Sequence, residues 1–287
     1  MGSNRAVATA WRVERADWLD GVASLDAASV DLVYADPPFN TGVTKAGPGG
    51  SYADAWPSLE AWLAWLGERL VATRRVLRPT GSILLHVDWR TSHRARCVLD
   101  EVFGADRFVN HLVWAYGLGG SSARRFARKH DDILFYCVDP AAYWFDPPRV
   151  PATSRRMRGR TKKATDVIRV AGVEDGVGDV LDVPSINNMA AERTGYPTQK
   201  PLALLDLLVR ACCPPGGLVV DPCCGSGTSL AAGVGAGRRA IGFDTNPDAV
   251  GLARRRLAGD GAGDGAGDPA RGEVAREPMG GSAAPES

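Results

Sequence analysis

Two hydrophobic periods alternate along the chain, and together they predict alternating strands and helices. Residues 30–35 and 82–87 are short, mostly apolar runs, typical of strands that are buried on both faces of a sheet. Between them, leucine and tryptophan recur every three or four positions from Leu59 to Leu77, which places them on one face of a helix that Pro79 and Gly81 end. This alternation predicts the α/β class, with a doubly wound and mostly parallel sheet.

The same pattern extends over most of the chain. Further strands are predicted at residues 111–116, 132–138, 218–220 and 240–243, and further helices at residues 92–103, 201–213, 228–236 and 246–257. Ser92 is suited to cap the second helix, and Pro201 is suited to the first position of the third.

Two segments break this pattern. Residues 146–190 have little periodicity, and the stretch 149–163 holds seven Arg or Lys residues without an acidic one, so we predict a basic insert on the α/β core. Residues 258–287 are rich in Gly, Ala and Asp, and we predict a disordered tail. The tail has a net charge of −4, which leaves a net charge of +5 on the rest of the chain and permits a polyanionic partner.

Composition narrows the class of protein. With 45% hydrophobic and 23% charged residues, the chain is expected to fold around a core. It has no run of 18 apolar residues and no apolar core near its start, so we expect no membrane span and no secretory signal. The six cysteines form no CxxC and the histidines lack ligand spacing, so we expect no metal, no disulfide framework and a cytoplasmic location.

The segment Asp-Pro-Pro-Phe-Asn, from Asp36 to Asn40, directly follows the first buried strand. Ligands of open α/β sheets bind beyond the carboxyl ends of strands. The two prolines fix φ and leave their carbonyls as acceptors, so a carboxylate and a carbonyl together suit an exocyclic amino group. Phe39 adds a flat face on which a base can stack. By itself, the segment is equally compatible with an ordinary Asp-Pro turn.

Residues 219–228 have the pattern of a strand, a glycine loop and the start of a helix. Gly225 and Gly227 permit a close approach of the backbone to a ligand, and a helix amino end favours polar or negative groups. Asp244 ends the next strand, 23 residues after Asp221, where a carboxylate can accept hydrogen bonds from ribose hydroxyls. Neither GxGxxG nor GxxxxGK[ST] occurs, which disfavours NAD and ATP. Alone, the loop also suits a tight strand–helix connection.

Together, these motifs resemble those of the amino-group DNA methyltransferases, which use S-adenosylmethionine. Residues 36–42 resemble the catalytic DPPY/F motif of that family, and residues 221–228 resemble its DPFxGSGT cofactor loop. Residues 81–93, 129–136 and 196–201 are similar to the family's intervening segments. The catalytic motif precedes the cofactor loop, an order that resembles the β group, in which the target-recognition region lies between the two halves.

The resemblance implies a division of the chain and a reaction. Residues 1–145 would form the catalytic half of a Rossmann-like methyltransferase core, 146–190 a target-recognition region, and 191–257 the cofactor-binding half. The implied reaction transfers a methyl group from S-adenosylmethionine to N6 of a flipped-out adenine in DNA, because Asp before Pro-Pro resembles the N6-adenine members.

The resemblance also implies roles for individual residues, and it implies no metal. The catalytic residues would be Asp36, Pro37, Pro38 and Phe39. The cofactor would be bound by Asp17, Thr198, Gln199, Lys200, Asp221, Pro222, Cys223, Cys224, Gly225, Ser226, Gly227, Thr228, Asp244 and Asn246. DNA would be bound by the basic residues Arg124, Arg125, Arg155, Arg156, Arg158, Arg160, Lys162 and Lys163. Residues 42–51 would form a mobile loop that closes on DNA, whereas Trp56, Trp62 and Trp65 are predicted to belong to the core.

Several alternatives stay open at this level. Asp17 would look the same as a helix N-cap, and Lys200 the same as a solvated helix start. The family usually has Phe where this chain has Cys223, and the smaller side chain weakens the expected packing beside the cofactor. Other functions are N4-cytosine methylation of DNA, methylation of RNA or a protein amide, and an inactive nucleic-acid-binding homologue. A homodimer and a companion restriction enzyme are partners that the sequence leaves undecided.

Overall fold

The computed structural model describes residues 10–47, 50–116, 122–151, 159–170, 181–183 and 194–259. The strands in these ranges are β1 Trp11–Arg15, β2 Val30–Ala35, β3 Val43–Gly47, β4 Gly50–Asp54, β5 Leu77–Asp88, β6 Phe108–Ala115, β7 His130–Cys137, β8 Arg149–Pro151, β9 Thr161–Lys163, β10 Val167–Val170, β11 Leu181–Val183, β12 Leu218–Asp221 and β13 Arg239–Asp244. The α-helices are α1 Trp18–Ala23, α2 Leu59–Val76, α3 Ser92–Phe103, α4 Leu202–Cys212, α5 Thr228–Gly235 and α6 Pro247–Ala258. None of these helices is both long and apolar enough to cross a membrane.

Nine of the strands form one sheet in the order β1-β13-β12-β2-β5-β7-β6-β10-β11. Neighbouring strands are parallel except at β7, which runs antiparallel to both β5 and β6. Parallel neighbours require crossover connections, and α2 lies in the one from β2 to β5, as α5 lies in the one from β12 to β13. The predicted α/β class with a doubly wound, mostly parallel sheet is confirmed.

Both faces of the central sheet are buried. On one face, Val33 and Ile83 pack in a core with α1, α2 and α3. On the other face, Leu32 and Leu84 pack in a core with α4 and α5. Burial on both sides explains why β2 and β5 are almost continuously apolar in sequence.

At three helix ends, the residue that ends or caps the helix differs from the predicted one. Helix α2 ends at Val76, before Pro79, and β5 starts at the next residue, Leu77. Residues 78–81 then form a bulge in β5, between the Leu77–Val30 and Ser82–Leu32 pairs. Thr91, without a side-chain cap hydrogen bond, is the N-cap of α3, so Ser92 is the first helical residue. Pro201 is the N-cap of α4 because its ψ of 135° is extended and not helical.

The glycine-rich stretch after Asp36 is more regular than the predicted loop. Strands β3 and β4 pair as an antiparallel hairpin, from Val43–Asp54 to Gly47–Gly50. The hairpin's backbone hydrogen bonds are therefore largely satisfied within itself.

The predicted basic insert contributes two strands to the main sheet. Strand β10 pairs with β6, and β11 pairs with β10, while β8 and β9 form a separate two-stranded sheet. The positions Arg155, Arg156 and Arg158 lie outside the described residues, as does the chain after Gly259. The division into catalytic half, insert, cofactor half and tail stays a prediction.

Candidate active site

A cavity of about 570 Å³ lies where the carboxyl ends of the four neighbouring parallel strands β1, β13, β12 and β2 meet. One carboxylate at or just past each strand end lines this cavity: Asp17, Asp244, Asp221 and Asp36, respectively. Parallel strands bring their carboxyl ends to one edge of a sheet, so these side chains converge from distant parts of the sequence.

Most of the predicted site residues line this cavity. Of the predicted catalytic residues, Asp36 and Pro38 line it, whereas Pro37 and Phe39 do not. Of the predicted cofactor residues, every one lines it except Gly227. The roles themselves stay predictions, since proximity alone does not assign them.

Asp36 forms an ion pair that the sequence did not reveal. Lys200 Nζ lies 2.6 Å from Asp36 Oδ2, although 164 residues separate the two. The Lys200 side chain is only 9% exposed, so a solvated helix start does not describe it. A cation this deeply buried needs a charged partner to offset its desolvation. Because the pair uses Oδ2, Asp36 Oδ1 can still accept a hydrogen bond from a ligand.

The turn that follows Asp36 is held by α2 and β4. Trp62 Nε1 donates a hydrogen bond of 2.9 Å to the Pro38 carbonyl. Both proline carbonyls were predicted to be acceptors for a ligand, and this bond leaves the Pro37 carbonyl as the better candidate. Asn40 has a φ of 58°, a left-handed conformation that Asn tolerates better than most residues. Its backbone N–H donates to Asp54 Oδ1 at 2.6 Å. These contacts fix the Pro37 carbonyl without using it.

A buried polar chain lies behind Phe39. The Phe39 ring stacks on His86, with centroids 6.1 Å apart and an interplanar angle of 21°. His86 Nδ1 lies 2.8 Å from the Tyr34 hydroxyl, and His86 Nε2 lies 3.3 Å from Asp131 Oδ2. Burial raises the pKa of Asp131, but hydrogen bonds from His86 and Tyr116 and the nearby positive charge, that of Lys200 included, together lower the pKa overall. The Tyr116 hydroxyl donates to the other oxygen of Asp131 at 3.1 Å, so a tyrosine hydroxyl is bonded at each end of the His86–Asp131 pair.

Asp244 ties the glycine loop to α6. Its Oδ2 accepts from the Gly225 backbone N–H and its Oδ1 from the Asn246 backbone N–H, each at 2.9 Å. Burial raises the pKa of Asp244 although both hydrogen bonds oppose the shift. Each oxygen has a further lone pair, so the carboxylate can also accept from hydroxyl groups of a ligand.

Asp221 lies deeper and supports the loop from below. It accepts hydrogen bonds from the Cys223 backbone N–H at 3.0 Å and from the Ser229 hydroxyl. Burial, the largest cause, and the charges of Asp36 and Asp244 raise the pKa of Asp221 to about 7. Burial likewise raises the pKa of the Cys223 thiol well above its usual value, so this cavity-lining group is a neutral thiol.

The two loop glycines have different reasons for lacking a side chain. Gly225 has a φ of 49°, and a Cβ there would lie 2.9 Å from the Tyr196 ring at the cavity wall. Gly227 has a φ of 74°, and a Cβ there would lie 2.8 Å from Ala253 Cβ on α6. The close approach predicted at Gly227 is therefore to a neighbouring helix.

The β3–β4 hairpin forms one wall of the cavity and bridges its two sides. The Tyr52 hydroxyl lies 3.2 Å from Thr198 Oγ1, and Asn246 Nδ2 donates to the Ser51 carbonyl at 3.1 Å. Thr198 has a φ of 64°, which is strained for a β-branched residue and typical of functional segments. Burial raises the pKa of Tyr52 to about 12, so it remains a neutral hydroxyl.

Asp17 is both a helix cap and a cavity residue. Its Oδ1 accepts from the Leu19 backbone N–H at 2.8 Å, and Arg69 Nη2 donates to both carboxylate oxygens at 3.0 Å. The Arg69 guanidinium lies 4.3 Å from the Trp65 ring centroid. Trp56 and Trp65, predicted as core, pack against the core and also line the cavity. This end of the cavity thus combines aromatic faces with a carboxylate, which suits a flat heterocycle.

Several residues that line the cavity were given no role in the sequence analysis: Trp18, Tyr34, Tyr52, Trp56, Trp65, Tyr196 and Ser229. Tyr196 begins the segment 196–201, and adjacency to Asp17 or Asp36 could have suggested Trp18 and Tyr34. Tyr52 and Trp65 have no local signal, because the hairpin and α2 bring them in from outside every motif. Within the described ranges, no group of three or more His, Cys, Asp or Glu side chains could hold a metal ion.

The predicted DNA-binding residues fall in two places. Arg124 and Arg125 are exposed and precede β7, whose amino end lies at the same edge of the sheet as the cavity, because β7 is antiparallel to β5 and β5 is parallel to β2. Arg160, Lys162 and Lys163 lie on or beside β9, which pairs with β8. The segment leading to β8 contacts the far end of α4, opposite the end nearest Lys200, through a 2.8 Å bond from the Asp146 N–H to the Ala211 carbonyl.

Comparison with known proteins identifies relatives of this chain. The family model of N6/N4 methyltransferases, described as DNA methylase, matches residues 30–255. DNA adenine methyltransferase YhdJ of Escherichia coli (strain K12) is 29% identical over 244 residues, covering 84% of this chain and 80% of that protein. The crystal structure of the M1.HpyAVI–SAM complex has a TM-score of 0.58 at 20% identity and covers 86% of this chain and 98% of that one. The cytosine-N4-specific PvuII DNA methyltransferase has a TM-score of 0.63 at 15% identity, over 86% and 88% of the two chains. Both solved structures share the fold.

Proposed function

Because the chain belongs to the family of N6/N4 DNA methylases, we propose that it transfers a methyl group from S-adenosylmethionine to N6 of an adenine in DNA. The relative YhdJ is named as a DNA adenine methyltransferase, and the M1.HpyAVI structure is a complex with S-adenosylmethionine. The observation that carries the proposal is one cavity that holds both Asp36 and the Gly225 loop with Asp244.

The cavity fits the cofactor in size and in chemistry. Its volume of about 570 Å³ lies within the range of small-molecule sites. Asp244 would hold the ribose hydroxyls, the loop at Gly225 the methionine part, and the aromatic end beside Asp17 the adenine. When bound, S-adenosylmethionine supplies an electrophilic methyl group on a positively charged sulfur. Cys223 is smaller than the Phe usual in the family, so the loop 221–228 would make fewer packing contacts with the cofactor.

Asp36 is the main catalytic residue in this proposal. The lone pair of an exocyclic adenine nitrogen is delocalised into the ring, so the nitrogen must be oriented and made more tetrahedral. Asp36 Oδ1 and the Pro37 carbonyl accept the two amino hydrogens and direct the lone pair toward the methyl carbon. As the amino nitrogen takes up the methyl group that the bound cofactor would supply, the Asp36 carboxylate would stabilise the positive charge that develops on that nitrogen. The nitrogen then loses one proton, which Asp36 Oδ1 accepts and passes to water.

Lys200 and His86 position the groups that touch the base. The Lys200 ammonium holds Oδ2 and so turns Oδ1 toward the substrate. His86 supports the Phe39 ring from behind, and Phe39 stacks on the base. An adenine within a duplex cannot reach Asp36, so the base must leave the stack first.

Nucleic acid is bound through basic side chains in this proposal. Arg124 and Arg125, together with the described residues Arg160, Lys162 and Lys163, would contact phosphates. A homodimer, a companion restriction enzyme and a cytoplasmic location stay predictions from the sequence.

The product nucleoside tests the proposal. The purified chain is incubated with labelled S-adenosylmethionine and either unmethylated genomic DNA or RNA, and the digested nucleic acid is analysed by mass spectrometry. We expect N6-methyldeoxyadenosine, absent with Asp36→Ala. N4-methyldeoxycytidine would overturn the base, and label in RNA alone would overturn the substrate class. Cofactor binding with no labelled product from any DNA would indicate the inactive homologue.

A further inference from the structure

Phe126 is 97% exposed, more than any other large hydrophobic side chain in the part of the chain that the structure describes. A single exposed hydrophobic side chain does not by itself indicate a function. The residues that surround Phe126 therefore determine whether it forms part of a binding surface.

Phe126 lies within a group of arginines and one tryptophan, which we call the edge patch: Trp89, Arg90, Arg124, Arg125, Phe126 and Arg128. The Arg128 guanidinium lies 3.3 Å from the Trp89 ring centroid, and that of Arg90 lies 4.7 Å from it. Desolvation and the charges of Arg125 and Arg90 lower the pKa of Arg128, which reflects how closely the positive groups are placed. Arg90 is ion-paired with Asp88, so the edge patch offers an aromatic ring to solvent beside the positive charges of Arg124, Arg125 and Arg128.

The edge patch lies beside the catalytic turn. Trp89 and Arg90 directly follow β5, whose last residue, Asp88, pairs with Asp131 near the start of β7. Strand β5 is the neighbour of β2, and the carboxyl end of β2 leads into Asp36. His86, three residues before Trp89, stacks on Phe39. The exposed ring thus lies at the sheet edge where a flipped base would leave its duplex.

We propose that Phe126 inserts into the base stack of duplex DNA next to the flipped-out adenine, while the arginines of the edge patch bind the flanking phosphates. The inference rests on the proposed function. Apolar wedges of this kind unstack base steps in other protein–DNA complexes, and base extrusion leaves a gap that an aromatic ring can fill. Phosphate binding by the arginines would hold the ring at the duplex despite its small contact area.

The test separates wedging from simple contact. Methylation rates are measured for the wild type, Phe126→Ala and Phe126→Trp on two unmethylated duplexes. Both duplexes contain the target sequence that was mapped beforehand with the wild-type protein. In one duplex the target base is paired, and in the other it lies opposite an abasic site and is already loose. Arg124→Ala serves as a phosphate-contact control, and Val71→Ala as an exposed apolar control on α2. Melting temperatures check that each variant folds.

We expect Phe126→Ala to lose about tenfold or more in rate on the paired duplex and less than about threefold on the abasic duplex. Phe126→Trp should retain most of the rate, and Arg124→Ala should lose rate on both duplexes, more so at higher salt. Equal loss on both duplexes, or no loss on either, would overturn the inference while leaving methylation by the wild type intact. If Phe126→Ala changed the oligomeric state but lost rate equally on the paired and the abasic duplex, the inference would be overturned as well. Failure of the proposed function is distinct, because the wild type would then methylate neither duplex.

Discussion

Two walls of the cavity hold their carboxylates in different ways. In the catalytic wall, formed by residues 36–40 and Lys200, Asp36 is paired with a side-chain ammonium at 2.6 Å. In the loop wall, formed by residues 221–228 and 244–246, Asp244 accepts from two backbone N–H groups. A side chain can rotate aside when a ligand enters, whereas backbone donors move only if the whole loop moves.

This difference matches the two ligands of the proposed reaction. A wall fixed by backbone hydrogen bonds is prepared for a cofactor that binds in one geometry. A wall in which a side-chain cation holds one carboxylate oxygen leaves the other oxygen, Asp36 Oδ1, to align a base. We therefore expect substitutions in the catalytic wall to change the rate, and substitutions in the loop wall to change cofactor affinity.

The largest effect is expected at Asp36. Asp36→Asn keeps the shape of the side chain but removes the charge that stabilises the transition state, so kcat should fall by about 10²–10³-fold. The cofactor Kd, measured by calorimetry, should stay within about threefold of wild type. A loss of cofactor affinity as large as the loss of kcat would show that the two walls do not act separately.

Asp244 should show the opposite pattern. Hydrogen bonds to charged groups contribute about 1.5–3 kcal/mol, so Asp244→Asn should raise the cofactor Kd by about tenfold to a hundredfold. At saturating cofactor, kcat should change by less than about threefold. Asp248→Asn, the same change at an exposed carboxylate on α6, is the matched control and should leave Kd unaltered. An unchanged Kd in Asp244→Asn would refute the role of this wall.

Lys200 should act only through Asp36. Lys200→Met removes the cation but keeps much of the side-chain volume, and we expect kcat to fall by about tenfold because Asp36 loses its orientation. In the double variant with Asp36→Asn, kcat should be no lower than in Asp36→Asn alone. Additive losses would mean that Lys200 contacts the substrate or cofactor directly.

The last prediction concerns stability and not the rate of methylation: the stability of the fold should depend on pH through Asp221. Its pKa is raised from 3.8 to about 7 on folding, so between about pH 4 and pH 7 the folded state binds a proton that the unfolded state does not. This residue therefore makes the protein less stable as pH rises through that window, by up to about 1.4 kcal/mol per pH unit. The free energy of unfolding is measured with urea for the wild type and Asp221→Asn at several pH values across the window, and the difference between the two proteins should change with pH. A difference that stays constant would contradict a raised pKa at Asp221.

The class of fold and the candidate chemistry could be predicted from local patterns in the chain. Periodicity located the central strands and helices to within a few residues because burial on one or both faces leaves a local signal. Asp36, Asp221 and Asp244 were found because each lies at the end of an apolar strand, where parallel sheets place their ligands. The order of the two motifs indicated the family to which the chain belongs.

How these residues meet could not be predicted from local patterns, because the contacts join distant parts of the chain. The ion pair of Lys200 with Asp36 joins residues 164 positions apart, and the contact of Tyr52 with Thr198 joins residues 146 positions apart. The same holds for the basic segments: charge counting drew attention to residues 149–163, but strand direction places the start of β7, just after Phe126 and its neighbouring arginines, at the same sheet edge as Asp36. The physical reason is that local periodicity records which side of an element is buried, whereas the order and direction of strands determine which distant residues share an edge.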